Sequence, residues 1–264
     1  MITLNIVDLA IAASLVLMLA LLSLRMQVHI SRQLLVAALR TAIQLTLIGL
    51  VLKALFANVH LAWVSLLALF MLLVAGREVM ARQERRFTGW WGYAVGTVSM
   101  FLSSFAVTVF ALIVILGESP WYTPQYAIPL LGMLLGNTMN GIAIAMDRLT
   151  HTAWEQRAVI EARLMLGQRW DEAVSEMRRQ AIRSGLIPII NAMAAAGVVS
   201  LPGMMTGQIL AGAPPVEAVK YQILIMFLIA VGTGLGTLAA VTIGSRRLFD
   251  ERQRLRLDRL RADA

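Results

Sequence analysis

The sequence predicts an all-α, polytopic integral membrane protein of about seven transmembrane helices, with the N-terminus outside and the C-terminus in the cytoplasm. Three observations carry that prediction. Of 264 residues, 59% are hydrophobic and 14% charged, and the mean hydropathy is +0.75, which leaves too little charge to coat a soluble domain of this length. Apolar runs recur at close to the ~17–25 residues needed to cross a bilayer. Arginines gather in every second connection between those runs, which the positive-inside rule assigns to the cytoplasm.

In order, the expected spans are about 6–24, 34–56, 61–76, 91–117, 126–146, 185–207 and 220–244. The first begins at Ile6 without the basic stretch and small-residue cleavage site of a secretory leader, so it is read as a helix. The connections after spans one, three and five and the tail after span seven hold every basic residue except Arg40, Lys53 and Lys220. The opposite loops, Ala57–His60, Glu118–Gln125 and Ala213–Val219, contain no Lys or Arg. The net charge of +8 therefore reflects topology and argues against a nucleic-acid partner. Trp121 and Tyr122 on one side and Trp90 and Trp91 on the other sit where an aromatic belt is expected.

This reading gives one transmembrane domain over 1–245, with a long cytoplasmic segment at 147–183, and a basic cytoplasmic tail over 246–264. The segment reads as two short amphipathic helices, Trp154–Leu166 and Trp170–Met177, joined by a turn at Gly167. The tail mixes Arg, Asp and Glu with leucines at 248, 255, 257 and 260 and reads as a surface helix. Gly132-Met133-Leu134-Leu135-Gly136 echoes Gly203-Met204-Met205-Thr206-Gly207. Glycines at that spacing let helices approach closely.

Few groups can carry chemistry. The absence of cysteine excludes disulfides and thiolate metal sites. Neither Lys53 nor Lys220 sits in a phosphate-binding loop, so ATP hydrolysis of that type must come from another chain. His29, His60 and His151 lie in or beside loops and read as structural or solvated. Within spans polar groups are costly, and the candidates to line a pathway are Arg40, Gln44, Asn137, Asn140 and Asn191. At about 1.5 Å per residue from the cytoplasmic edge, they fall in one layer about 10–18 Å deep. Snorkelling of Arg40 and simple helix-to-helix bonding by the amides are the competing reading. Methionines are gap fillers first, but Met204 and Met205 follow Pro202 and Gly203, where a proline leaves backbone carbonyls without a helical donor. Pro202, Gly203, Met204 and Met205 are the candidate gate, about 30 Å from the cytoplasmic edge. The Gly132 patch comes out near 22 Å, so the two patches are not required to touch. No metal site is assigned.

Several stretches resemble one family. Arg40-Thr-Ala-Ile-Gln44, Gly132-Met-Leu-Leu-Gly136-Asn137, Leu166-Gly167-Gln-Arg-Trp170 and above all Val199-Ser-Leu-Pro-Gly-Met-Met-Thr-Gly-Gln208 are similar to the FetB (YbbM-type) ABC transporter permeases, over about residues 35–245. The resemblance implies a non-enzymatic membrane subunit in the bacterial inner (plasma) membrane, paired with an ATP-binding subunit that holds ATP-Mg, and exporting iron or another metal ion. Two copies would assemble with two ATPase subunits. It also implies an ATPase-coupling role for 161–176, because Glu161-Ala162-Arg163 followed by Gly167 resembles the start of the coupling motif of ABC importer permeases, with Trp170 opening the second helix. Pro188 then falls later than that motif places its proline. A secondary transporter of a small solute or ion is the alternative, weakened because Asp8 and Asp147 sit at span edges. A membrane scaffold without substrate is the third reading.

Overall fold

The structure is a computed structural model and describes residues 5–27, 30–57 and 59–262. His29 lies outside the described residues. Two compact units divide the chain, the first holding the two N-terminal helices and the second everything from Leu61.

In the first unit α1 (Ile6–Arg25) and α2 (Ser31–Ala57) pack on each other. Asp8 caps the start of α1 by accepting from the Asn5 backbone N–H at 2.8 Å. Nearly every apolar side chain of both helices is exposed, the condition of helices whose solvent is hydrocarbon rather than water.

The second unit opens with α3 (Leu61–Ala81) and the short strand β1 (Arg85–Phe87). A continuous helical segment, Trp90–Leu116, follows. It consists of α4 (Trp90–Met100), a π-turn, α5 (Ala106–Phe110) and a second π-turn that ends at Gly117. The hub is α6 (Pro124–Glu155), which starts with proline at its first position, where no amide donor is missed. It packs against α3, against α9 (Ser175–Ala195) and against α11 (Pro215–Arg247). Between α6 and α9 lie α7 (Arg157–Met165) and α8 (Trp170–Ala173); α10 (Gly203–Leu210) stands between α9 and α11.

Small residues set these crossings. A Cβ on Gly185 would lie 2.5 Å from the Gly141 carbonyl oxygen, so the α6 and α9 backbones touch where both residues are glycine. Along α11, Gly232 faces Leu134, Gly236 faces Thr138, and Gly244 faces Met146. That constant offset makes α6 and α11 parallel. Gly185 meets Thr237, and Arg178 donates to the Thr242 hydroxyl at 3.4 Å, so α9 runs antiparallel to both.

Six helices among the described residues are long and apolar enough to cross a membrane. The expected span 185–207 is not among them. Its helix begins earlier, at Ser175, stops at Ala195, and resumes only at Gly203. The interruption has local causes: Gly197 takes φ +80°, and Pro202, extended at ψ 142°, becomes the N-cap of α10.

The tail also departs from expectation. It is not a surface helix: after Arg247 it turns, passes through a 3-10 turn at Leu257–Arg259, and ends as β2 (Leu260–Ala262), antiparallel to β1 with Phe87 opposite Leu260. Leu248 and Leu260 are buried, and Leu255 and Leu257 pack on the same core. The leucine spacing follows an extended chain there, not a helical face. This two-stranded ribbon is the exception to an otherwise all-α polytopic membrane protein.

Candidate functional site

Residues 137, 140, 144, 147 and 151 of α6 are separated by alternate steps of three and four, which stacks them along one helix face. Asn137, Asn140 and Ile144 are exposed on that face, and Asp147 and His151 are half-exposed. Beside it, a cavity of about 580 Å³ is lined by Arg82, Asn140, Asp147, His151, Ser184 and Pro188. The Arg82 guanidinium donates to the Asn140 side-chain oxygen. The Glu84 backbone N–H donates to the Asp147 carboxylate at 2.8 Å. His151 stands 3.3 Å from the Glu155 carboxylate and 3.9 Å from that of Glu84. Pro188 has no N–H for the Ser184 carbonyl, so the cavity wall gains a backbone acceptor.

The sequence-predicted residues fall as follows. Asn140 borders the cavity and is held by Arg82. Asn137, one turn further along α6, donates to the Met133 carbonyl of its own helix at 2.8 Å. Asn191 is exposed on α9, on the face it shares with Ser184 and Pro188, and in the register set by Gly141 and Gly185 it is level with about residue 135, within a turn of Asn137. Arg40 and Gln44 are exposed one turn apart on α2, in the first unit. Asp147 and His151 are missed as site residues when the fifth span is ended at Met146, and the three-four spacing from Asn137 to His151 is the signal that finds them. Arg82 and Glu84, in the connection after α3, carry no such signal.

The interrupted stretch is equally local. The Ala195 carbonyl accepts from Val199 at 3.0 Å and Ser200 at 3.1 Å, and the Gly197 N–H donates to the Ser200 carbonyl at 2.9 Å. Val198 and Val199 project outward, 88% and 84% exposed. Pro202 caps α10 and its carbonyl accepts from the Thr206 hydroxyl at 2.8 Å; Gly203, Met204 and Met205 form the first turn. Ala195, ten residues beyond Gly185, is level with about residue 227 of α11. Met204 borders a cavity of about 220 Å³ together with Leu224 and Leu228. Residues 196–202 therefore make almost no progress along the bundle. In consequence Met133 and Met204, equivalent positions of the sequence echo, line that one cavity. Counting residues along an unbroken helix does not require the two patches to meet; the interruption after Ala195 brings Met133 and Met204 to one cavity.

At the far end of α6, α7 closes on Gly167. The Gly167 N–H bonds to Leu164 and the Gln168 N–H to Arg163, with Gly167 at φ +88°, a Schellman close that needs glycine. The Arg163 guanidinium donates to the Ala173 carbonyl at 3.1 Å and ties α7 to α8. Ile160 buries the inner face of α7, whereas Met165 and Leu166 are 82% and 85% exposed at the tip. Glu161 and Ala162 are exposed. The Trp170 N–H donates to the Gln253 side chain at 3.0 Å, and its ring packs against Phe249.

Among the described residues, no three His, Asp or Glu side chains gather as a metal site. Comparison with known proteins gives a consistent set. The model of the "Uncharacterised protein family (UPF0014)" matches residues 6–249. The UPF0014 membrane protein slr1647 of Synechocystis is 40% identical over 86% of this chain and 87% of its own. The probable iron export permease protein FetB of Escherichia coli is 31% identical over 96% of each chain. The protein ALUMINUM SENSITIVE 3 of Arabidopsis thaliana is 33% identical over 88% of this chain and 82% of its own. No solved structure matches. The chain belongs to the UPF0014 family of multi-pass membrane proteins.

Proposed function

We propose that this chain is the permease subunit of an ABC transporter in the inner (plasma) membrane. It exports iron or another metal ion, works as a homodimer, and is driven by a separate ATP-binding subunit that holds ATP-Mg. The observation that carries the reading is the α7–Gly167–α8 elbow, which links the hub helix α6 to the interrupted α9 and presents Met165 and Leu166 at its tip. An exposed apolar knob on a braced turn is suited to a groove on a partner, and motion delivered there acts on both helices that bound the larger cavity. Glu161, Ala162, Gly167 and Trp170 form the coupling element. The name of the Escherichia coli relative supports the metal-export direction.

In this scheme the N-terminus is outside, and α9, the break and α10 act together as one interrupted crossing. Asn137, Asn140 and Asn191 line the pathway. Pro202, Gly203, Met204 and Met205 are its outer gate, since a helix with an interrupted ladder can change its angle at small cost. The chain itself performs no hydrolysis. Co-purification tests the partnership: a tagged chain expressed in its own host is expected to bring down an ATP-binding protein in a ratio of about one to one. Recovery of the chain without one returns it to the secondary-transporter class.

A further inference from the structure

We infer that the cavity between α6, α10 and α11 binds a soft monovalent cation of the Cu(I)/Ag(I) class through the Met133 and Met204 thioethers. The inference goes beyond the proposed transport cycle and does not depend on the ATPase. Three observations carry it. Two methionines from separate helices line one cavity of about 220 Å³. The Gln208 side chain lines the same space, and its buried carbonyl oxygen has no hydrogen-bond partner. A buried acceptor in that state favours a donor or a cation. Pro129 also lines the cavity and has no N–H for the Gln125 carbonyl, which adds a second acceptor on the same wall.

The charge of the wall decides the class of ion. No Asp, Glu, His, Lys or Arg lines the cavity. A divalent or trivalent ion there would be desolvated without a counter-charge, which disfavours it strongly. Hard cations also require carboxylate and carbonyl oxygens in number. Thioethers select the soft ions, foremost Cu(I), whose single charge two sulfurs and an amide oxygen suffice to solvate. Iron as Fe(II) or Fe(III) does not fit this wall as a bound ion.

The test uses the purified full-length chain in lipid nanodiscs, titrated with Ag(I) and, under reducing conditions with a competing chelator, with Cu(I). The expected result is one ion per chain with sulfur neighbours in its X-ray absorption spectrum. In the Met133→Leu/Met204→Leu chain, which conserves volume, affinity is expected to fall by about 10–100-fold, the usual scale for damage to a metal site. Met193→Leu, on α9 and outside the cavity wall, is expected to bind as the parent does. Three results would overturn the inference: no binding, binding unchanged in the double variant, or an absorption spectrum with only oxygen and nitrogen neighbours. Stronger binding of Zn(II) or of tetramethylammonium would overturn it as well. The spectrum of the parent chain decides even if the double variant does not fold. Ag(I) bound at this site but never transported leaves the site standing and counts only against a soft ion as cargo.

Discussion

Asn140 is the residue at which sequence and geometry converge. It was selected as a polar group inside a span, and it stands at the cavity wall with the Arg82 guanidinium on its side-chain oxygen. A hydrogen bond between membrane helices contributes about 0.6 kcal/mol on average and about 1.7 kcal/mol at most. Asn140→Leu is therefore expected to leave the protein folded and at its normal level while releasing Arg82 into the cavity. Metal export should then fall by about tenfold, which corresponds to ~1.4 kcal/mol and lies within the range of an interhelical hydrogen bond. Normal export at normal protein level would remove Asn140 from the pathway. Arg82 was not legible because it is one of four arginines after the third span, all of which read as positive-inside residues. Only the turn beyond α3 brings it back over α6.

Elements were legible where hydrophobic length decides and less so where backbone chemistry decides. All six long helices begin within about five residues of their expected starts, because the ~17–25 residues that cross a bilayer fix the apolar run. The exception in kind is α9 with α10: hydropathy joins 185–207 into one span, since Val198, Val199 and Leu201 are as apolar as any lipid-facing residue, but Gly197 and Pro202 halt the helix between them. The Gly167 elbow was legible for the converse reason, because a glycine after a short amphipathic run is a helix stop. At φ +88° a side chain adds strain of about 1–2 kcal/mol, which a large fold tolerates. Gly167→Val is expected to keep the partner bound and its ATP hydrolysis running while export stops, measured as ions moved per ATP. An unchanged ratio would take the coupling role away from the elbow.

The tail is the second element with a consequence of its own. Asp250 accepts from the Arg254 backbone N–H at 2.8 Å and from the Arg254 guanidinium at 2.8 Å. The backbone bond first, and the guanidinium after it, hold the Asp250 carboxyl below the usual aspartate range. A carboxylate whose folded-state pKa is depressed stabilises the fold above its unfolded-state pKa, and that contribution is lost as pH falls through the folded-state value. Hydrogen exchange over residues 252–262 is thus expected to be slow at neutral pH and to rise selectively only below the ordinary aspartate range. Asp250→Asn should raise it at neutral pH. Equal exchange in parent and variant at neutral pH would show that β2 and Leu260 hold the tail without Asp250.

At the scale of the whole molecule, the tail strand on β1, the Trp170–Gln253 bond and the Arg259 guanidinium on the Arg247 and Phe249 carbonyls tie the ends of α3, α8 and α11 into one block. The opposite half of the unit holds the break in α9 and the thioether cavity. A braced end beside the elbow and an interrupted helix at the other end suit a lever: motion applied at Gly167 passes through α9 and is released where its hydrogen-bond ladder stops. Membrane class was legible from composition because hydrocarbon leaves little room for charge. The lever was not, because it depends on contacts between residues about 80–170 positions apart in the chain, a separation that no local pattern of period 3.6 reports.

The most direct test of this account is ATP-dependent metal uptake into inside-out proteoliposomes that hold the chain and its ATP-binding partner, scanned over iron, manganese and Ag(I). The account predicts uptake that needs ATP and both proteins and that the Gly167→Val chain abolishes while hydrolysis continues. Uptake that persists without the ATP-binding partner, or hydrolysis with no uptake of any ion by the parent chain, would contradict it.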